Sequence, residues 1–268
     1  MTLTITRPSQ VLARLPLPAK VALSALKPPR RVRYGPDRSQ VAELHLPHGP
    51  GPHPVAVVLH GGYWQTRYGA LVCRPLARAL AADGVAAWNL EYRRLGAGRG
   101  GGGGWPQTFD DVAGGIDALA GVDAPLDLSR VVGVGHSAGG QLALWAAGRT
   151  LLPAGVVGAS PAVPLTRVVA LAPVTDLWRA RAHAVDLLGG TPDEVPEHWA
   201  QADPARMPPP PVPALVVHPT EDQTVDVARS RAYSARTGVP LVETAGGHRD
   251  PIDPAGAAWA AARAFLSE

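Results

Sequence analysis

Short apolar runs alternate along the chain with longer stretches of helical periodicity, the pattern of a parallel sheet wrapped by helices. Runs Val41–Leu46, Pro54–His60, Val85–Tyr92, Arg130–Gly135, Arg167–Ala172, Ala214–His218 and Leu241–Thr244 are expected as strands. Several, such as Val-Ala-Val-Val-Leu within Pro54–His60, are apolar on both faces, which suits central parallel strands. Between them, Leu71–Ala82, Phe109–Leu119, Ala138–Arg149, Val225–Thr237 and Pro254–Leu266 carry helical spacing. The stretch 175–211 breaks this rhythm and is too long for a simple connection. It reads as an insertion, a small lid over one end of the sheet. The fold class expected is α/β, a mostly parallel doubly wound sheet with helices on both faces.

Composition changes this picture little. The 268 residues are 46% hydrophobic and 18% charged, enough for one large core, so residues 36–268 read as a single domain with the insertion inside it. The charge is informative because it is uneven. Residues 1–33 hold seven basic side chains (Arg7, Arg14, Lys20, Lys27, Arg30, Arg31, Arg33) and no acid. The rest carries 18 basic and 22 acidic residues, so the net charge of +3 belongs to a basic N-terminal arm, residues 1–35. No aromatic interleaves with the arm's charges before Tyr34, which argues against a nucleic-acid surface. The single cysteine, Cys73, excludes an intramolecular disulfide and reads as a buried structural thiol. Arg14, Pro16, Pro18 and Lys20 interrupt the apolar stretch from Val11 to Leu26, so neither a signal peptide nor stable membrane insertion is expected, and a cytoplasmic protein is.

The candidate chemistry centres on Gly135-His136-Ser137-Ala138-Gly139. A strand turning sharply into a helix forces the serine into a strained backbone, and side chains at the flanking positions would strike neighbouring backbone. Such a turn lifts the hydroxyl above the sheet and places the next amide at a helix N-terminus. A serine nucleophile needs a base. His45, His48, His53, His60 and His136 precede the serine, His183 and His198 lie in the insertion, and His218 lies within a strand. His248, in the Gly-rich loop after the last strand, is the candidate base. Of Glu221, Asp222 and Asp226, Asp222 is favoured as the acid, Glu221 is the alternative, and Asp226 suits a helix N-terminus. Upstream, His60-Gly61-Gly62-Tyr63-Trp64 follows a strand, and its Gly62 and Tyr63 amides join that of Ala138 as candidate oxyanion donors. Tyr63, Trp64 and Trp105 are candidate walls of a substrate pocket.

Together His60–Trp64, Glu91-Tyr92-Arg93-Arg94, Gly135–Gly140, Asp222 and His248 resemble the α/β-hydrolase superfamily. The nearest resemblance is to the esterase branch with kynurenine formamidases and hormone-sensitive-lipase-like carboxylesterases. It covers roughly residues 40–265 and implies cleavage of esters or amides through an acyl-enzyme, with no cofactor and no metal. Pro219 stands where the family's loop before the acid usually carries glycine. The expected activity is hydrolysis of a small carboxylic ester, with an aryl formamide as the alternative. A dipeptidyl-type peptidase would usually carry an additional propeller, and a non-catalytic binding protein on this fold commonly loses a triad member. A small-molecule ester or amide is the expected partner, and a homodimer is compatible with the sequence.

Overall fold

A computed structural model describes residues 15–26 and 29–266. Eight strands form one sheet: β1 Arg30–Arg33, β2 Val41–His45, β3 His53–Leu59, β4 Ala86–Leu90, β5 Leu126–His136, β6 Arg167–Leu171, β7 Ala214–Pro219 and β8 Leu241–Thr244. Their order is β1-β2-β4-β3-β5-β6-β7-β8. The first two pairings are antiparallel and all the others parallel. The chain leaves β3 towards β4 on one side and returns to β5 on the other. In open α/β sheets that reversal creates a crevice at the carboxyl ends of the strands, where ligands bind.

The helices are α1 Leu17–Ala25, α2 Arg74–Ala82, α3 Gln107–Asp117, α4 Ala138–Ala147, α5 Arg181–Leu188, α6 Pro196–Ala202, α7 Val227–Thr237 and α8 Ala257–Leu266. Two apolar layers hold them to the sheet. Phe109, Leu142, Trp145 and Trp199 pack on one face, and Leu76, Leu80, Trp259 and Ala262 on the other. The five strands β2, β3, β4, β6 and β7 are almost entirely buried, as the apolar runs of β3, β6 and β7 require; β2 and β4 bury the polar Glu43, His45 and Asn89 as well. Cys73 is buried among these side chains, and burial pushes its thiol up to about 12, which makes it chemically inert.

Three differences from the sequence reading have physical causes. The basic arm is not separate from the domain: Arg30–Arg33 pairs with β2 as an edge strand, Arg30 with Leu44 through Arg33 with Val41. Its arginines face solvent, and charge on an edge strand discourages pairing with another chain. Arg7, Arg14 and Lys27 lie outside the described residues. β5 begins earlier than its apolar run because Leu126 and Asp127 pair with His53 and Pro54 ahead of a register shift. The segment 175–211 folds as α5 and α6 and lies along α4, where Gln141 Nε2 donates to the Ala202 carbonyl at 2.8 Å. Among the described residues, no helix is long and apolar enough to cross a membrane.

Candidate active site

Ser137 sits between β5 and α4 at φ 56°, ψ −119°, a region that favours glycine. The flanking glycines explain how the turn closes. A Cβ on Gly135 would lie 2.0 Å from the Gly139 carbonyl oxygen, and one on Gly139 would lie 2.1 Å from that of Leu59. Neither contact is tolerable, so the spacing of the pentapeptide is imposed by backbone approaching backbone. The held conformation aims the Ser137 hydroxyl along the crevice, where it donates to His248 Nε2 at 2.9 Å.

His248 follows β8, and its Nδ1–H donates to Asp222 Oδ2 at 2.7 Å. That bond fixes the tautomer whose Nε2 lone pair faces the serine. Asp222 follows β7 and accepts three hydrogen bonds. Oδ1 takes the Thr224 and Val225 amides at 2.7 and 2.9 Å, and Oδ2 takes His248. His218 Nε2, whose proton goes to the Val225 carbonyl at 2.8 Å, lies beside Oδ2 at 3.2 Å. Burial would raise the pKa of Asp222, but the adjacent His218, His248 and the Val225 amide outweigh it and hold the carboxyl well below its ordinary range. Glu221 is exposed, and Asp226 caps α7 through the Ala228 amide at 2.9 Å.

Two histidines that sequence reasoning assigned no role support this line. His218 is fully buried in β7, with Nδ1 2.7 Å from the Ser230 hydroxyl and Nε2 2.8 Å from the Val225 carbonyl. Its separation from Asp222 by four residues, His218-Pro219-Thr220-Glu221-Asp222, was the available signal. His136, inside the pentapeptide, donates from Nε2 to the His248 carbonyl at 2.8 Å and so holds the loop that carries the base. Burial, and then the neighbouring His248, lower its pKa to about 3.

A histidine whose folded pKa lies below the ordinary 6.5 takes up its proton first in the unfolded chain. Its contribution to stability is therefore complete above that value and declines as pH falls towards 3. Between pH 6.5 and 5 the loss is about 2 kcal/mol. His136→Gln keeps a donor for His248 but cannot titrate. Urea unfolding of the variant should show a shallower decline in stability from pH 7 to 5 than the wild type, and equal slopes would exclude this role.

The loop after β3 approaches Ser137 from the other side. A Cβ on Gly61 would lie 2.8 Å from both the His136 carbonyl oxygen and Ser137 Cβ, so the loop can come this close only as glycine. Gly62, Tyr63 and Trp64 all have positive φ, at 123°, 56° and 57°. Among the described residues, the Gly62 and Tyr63 amides donate to no other backbone group, and the Ala138 amide opens α4, where helical donors are unpaired. The loop is braced from below. His60 Nε2 lies 2.9 Å from Glu91 Oε1, Tyr92 Oη donates to the His60 carbonyl at 2.7 Å, and Arg94 lies 3.3 Å from Glu91. Burial opposes ionisation of Glu91, but His60 and Arg94 lower its pKa.

A cavity of about 720 Å³ opens beside Ser137 and His248, lined also by Gly61, Gly62 and Tyr63. Trp64 and Trp105 do not line it. Trp64 is 1% exposed, and its indole N–H donates to Gln141 Oε1 at 3.1 Å. Trp105 packs against Phe109 and His198, with ring centroids 4.8 and 4.7 Å away. Among the described residues, 175–211 contributes nothing to this lining either, although the His183 ring packs edge-on with that of Tyr63, their centroids 5.0 Å apart.

A BD-FAE family model matches residues 43–236. No curated protein sequence matches the chain. Solved structures match over most of its length. A truncated carbohydrate esterase from gut microbiota superposes with a TM-score of 0.70 at 18% identity, covering 90% of this chain and 98% of its own. Esterase B from Lactobacillus rhamnosis, inhibited by a C4-C4 SN3 tributyrin phosphonate, gives 0.71 at 20% identity, covering 98% and 96%. A thermophilic esterase from the Planctomycetes species Thermogutta terrifontis gives 0.64 at 20%, covering 83% and 84%. At these identities the likeness is one of fold, and that fold is the α/β-hydrolase fold.

Proposed function

Because the chain belongs to the BD-FAE family, we propose that it is a serine hydrolase that cleaves a small-molecule carboxylic ester through an acyl-Ser137 intermediate. The observation that carries this reading is the unbroken line from Ser137 Oγ to His248 Nε2, at 2.9 Å, and from His248 Nδ1 to Asp222 Oδ2, at 2.7 Å. As Ser137 Oγ attacks the ester carbonyl, its proton passes to His248 Nε2. Asp222 stabilises the imidazolium that forms and keeps the ring oriented. The carbonyl oxygen, now negative, falls to the Gly62, Tyr63 and Ala138 amides. His248 returns the proton to the leaving alcohol, and water repeats the sequence in reverse to release the acid. The esterases of the same fold, one of them taken by a phosphonate related to tributyrin, support an ester over a peptide.

The same acyl transfer would cleave an aryl formamide, a reading favoured by the His60–Trp64 string. Purified protein should hydrolyse 4-nitrophenyl acetate or butyrate with a kcat/KM well above that for N-formylkynurenine. A reversed ranking would move the assignment to the formamide, and no turnover of any of them would overturn the hydrolase reading.

A further inference from the structure

One wall of the cavity beside Ser137 comes from outside the region that the BD-FAE family model matches. It is α1, which lies against α2 and the 3₁₀ turn Ala70–Cys73. Leu17 and Val21 of α1 face the cavity with Pro16 and Pro18, and Val72 and Ile252 also line it. None of these side chains can donate or accept a hydrogen bond. The helix is fastened at several points. Lys20, buried to 9% exposure, pairs with Asp253 at 2.5 Å. Arg74 Nη1 and Arg78 Nη2 each donate to the Ser24 carbonyl at 3.0 Å, placing cations at the negative end of the helix. Asp253 follows the short turn Asp250–Ile252 after His248, so the tie joins the arm to the segment bearing the base.

We propose that α1 is the apolar wall of a substrate subsite, with Leu17 and Val21 contacting an alkyl or aryl group of the ester and the Lys20–Asp253 pair holding that wall in place. This rests on the serine hydrolase reading and names the substrate class within it. The cavity of about 720 Å³ lies in the range of roughly 300–1,000 Å³ that accommodates a whole drug-sized ligand, far beyond an acetyl group. A polyol would find polar partners in this cavity at Thr224, Arg249, Asp250 and Asp253, but hydroxyls laid on Leu17 and Val21 would have none, whereas an alkyl chain there loses only water-exposed apolar surface. Each methylene buried should raise kcat/KM roughly four-fold until the wall is spanned.

The test uses the full chain and two substrate series, 4-nitrophenyl esters from acetate to octanoate and alkyl acetates from ethyl to hexyl. In at least one series, wild-type kcat/KM should climb with chain length. Val21→Asp should lower the long-to-short-chain ratio of that series by about ten-fold or more, and Lys20→Met should lower it in the same direction. A general loss of structure would depress every substrate alike and leave the ratio unmoved. Leu17→Ser provides an independent probe of the wall if Val21→Asp does not fold, as judged by its thermal transition. Ratios unchanged in folded variants, or no chain-length preference in either series, would overturn the subsite alone. A wild-type protein that turns over no ester would overturn both readings.

Discussion

Replacing Ser137 with alanine should lower kcat for a nitrophenyl ester by about 10⁴- to 10⁶-fold, with KM little changed. The hydroxyl contributes the bond that forms and little to binding before it forms, so the loss belongs to the transition state. What survives is the stabilisation offered by the Gly62, Tyr63 and Ala138 amides, worth about 10³–10⁴ over water in comparable sites. Alanine suffers the same positive φ of 56° as serine, so the elbow should keep its shape and its stability should change little. Steady-state kinetics together with a thermal melt of the variant checks both parts. A loss of less than ten-fold would mean that another group performs the attack.

Asp222→Asn should lower kcat by about 10⁴-fold at neutral pH. The replacement is almost isosteric, but every partner of this carboxylate is a donor. Thr224 and Val225 present N–H groups to Oδ1, and His248 presents its ring N–H to Oδ2. An amide must turn its NH₂ towards one of these two sides. Turned towards His248, it selects the tautomer with a proton on Nε2, which cannot accept the serine proton. Turned the other way, it leaves two backbone donors facing an NH₂ group. Stability should fall as well, by about 1–3 kcal/mol for the unpaired buried donors. The depressed pKa of Asp222 sets the pH window for this comparison. Its stabilisation is present above the unfolded value, near 3.8, and is lost only as pH falls through the much lower folded value, so a comparison at pH 7 registers all of it. Kinetics and urea titration of the folded variant measure the two effects separately. Near-normal turnover would move the acid role to another carboxylate.

The pentapeptide was legible in the sequence because its constraint is local. Gly135 and Gly139 are required by backbone within the turn and by the adjacent end of β3, and a sequence pattern records that directly. The alternation of apolar runs located all the strands except β1. There, four residues of which three are arginine carry no apolar signal, and only pairing with Val41–Leu44 makes them a strand. The pocket walls were the least legible. Trp64 resembles a wall in sequence, next to Tyr63, yet two consecutive residues at positive φ turn its ring inward to a glutamine 77 positions away. The helix that does form a wall is built from Leu, Pro, Ala and Val in a basic arm. Its significance comes from a lysine and an aspartate 233 positions apart, a pairing that no local window contains. His218 escaped for a similar reason: a histidine inside an apolar strand looks like core until the loop after β7 folds its aspartate back onto the ring.

Whether Ser137 is an activated nucleophile can be read from the mass of the protein after exposure to a fluorophosphonate. A single adduct is expected, located by peptide mapping on the segment containing Ser137, absent from Ser137→Ala and formed much more slowly in a folded His248→Ala variant. An unmodified wild-type chain, or an adduct that persists in Ser137→Ala, would contradict that role for Ser137.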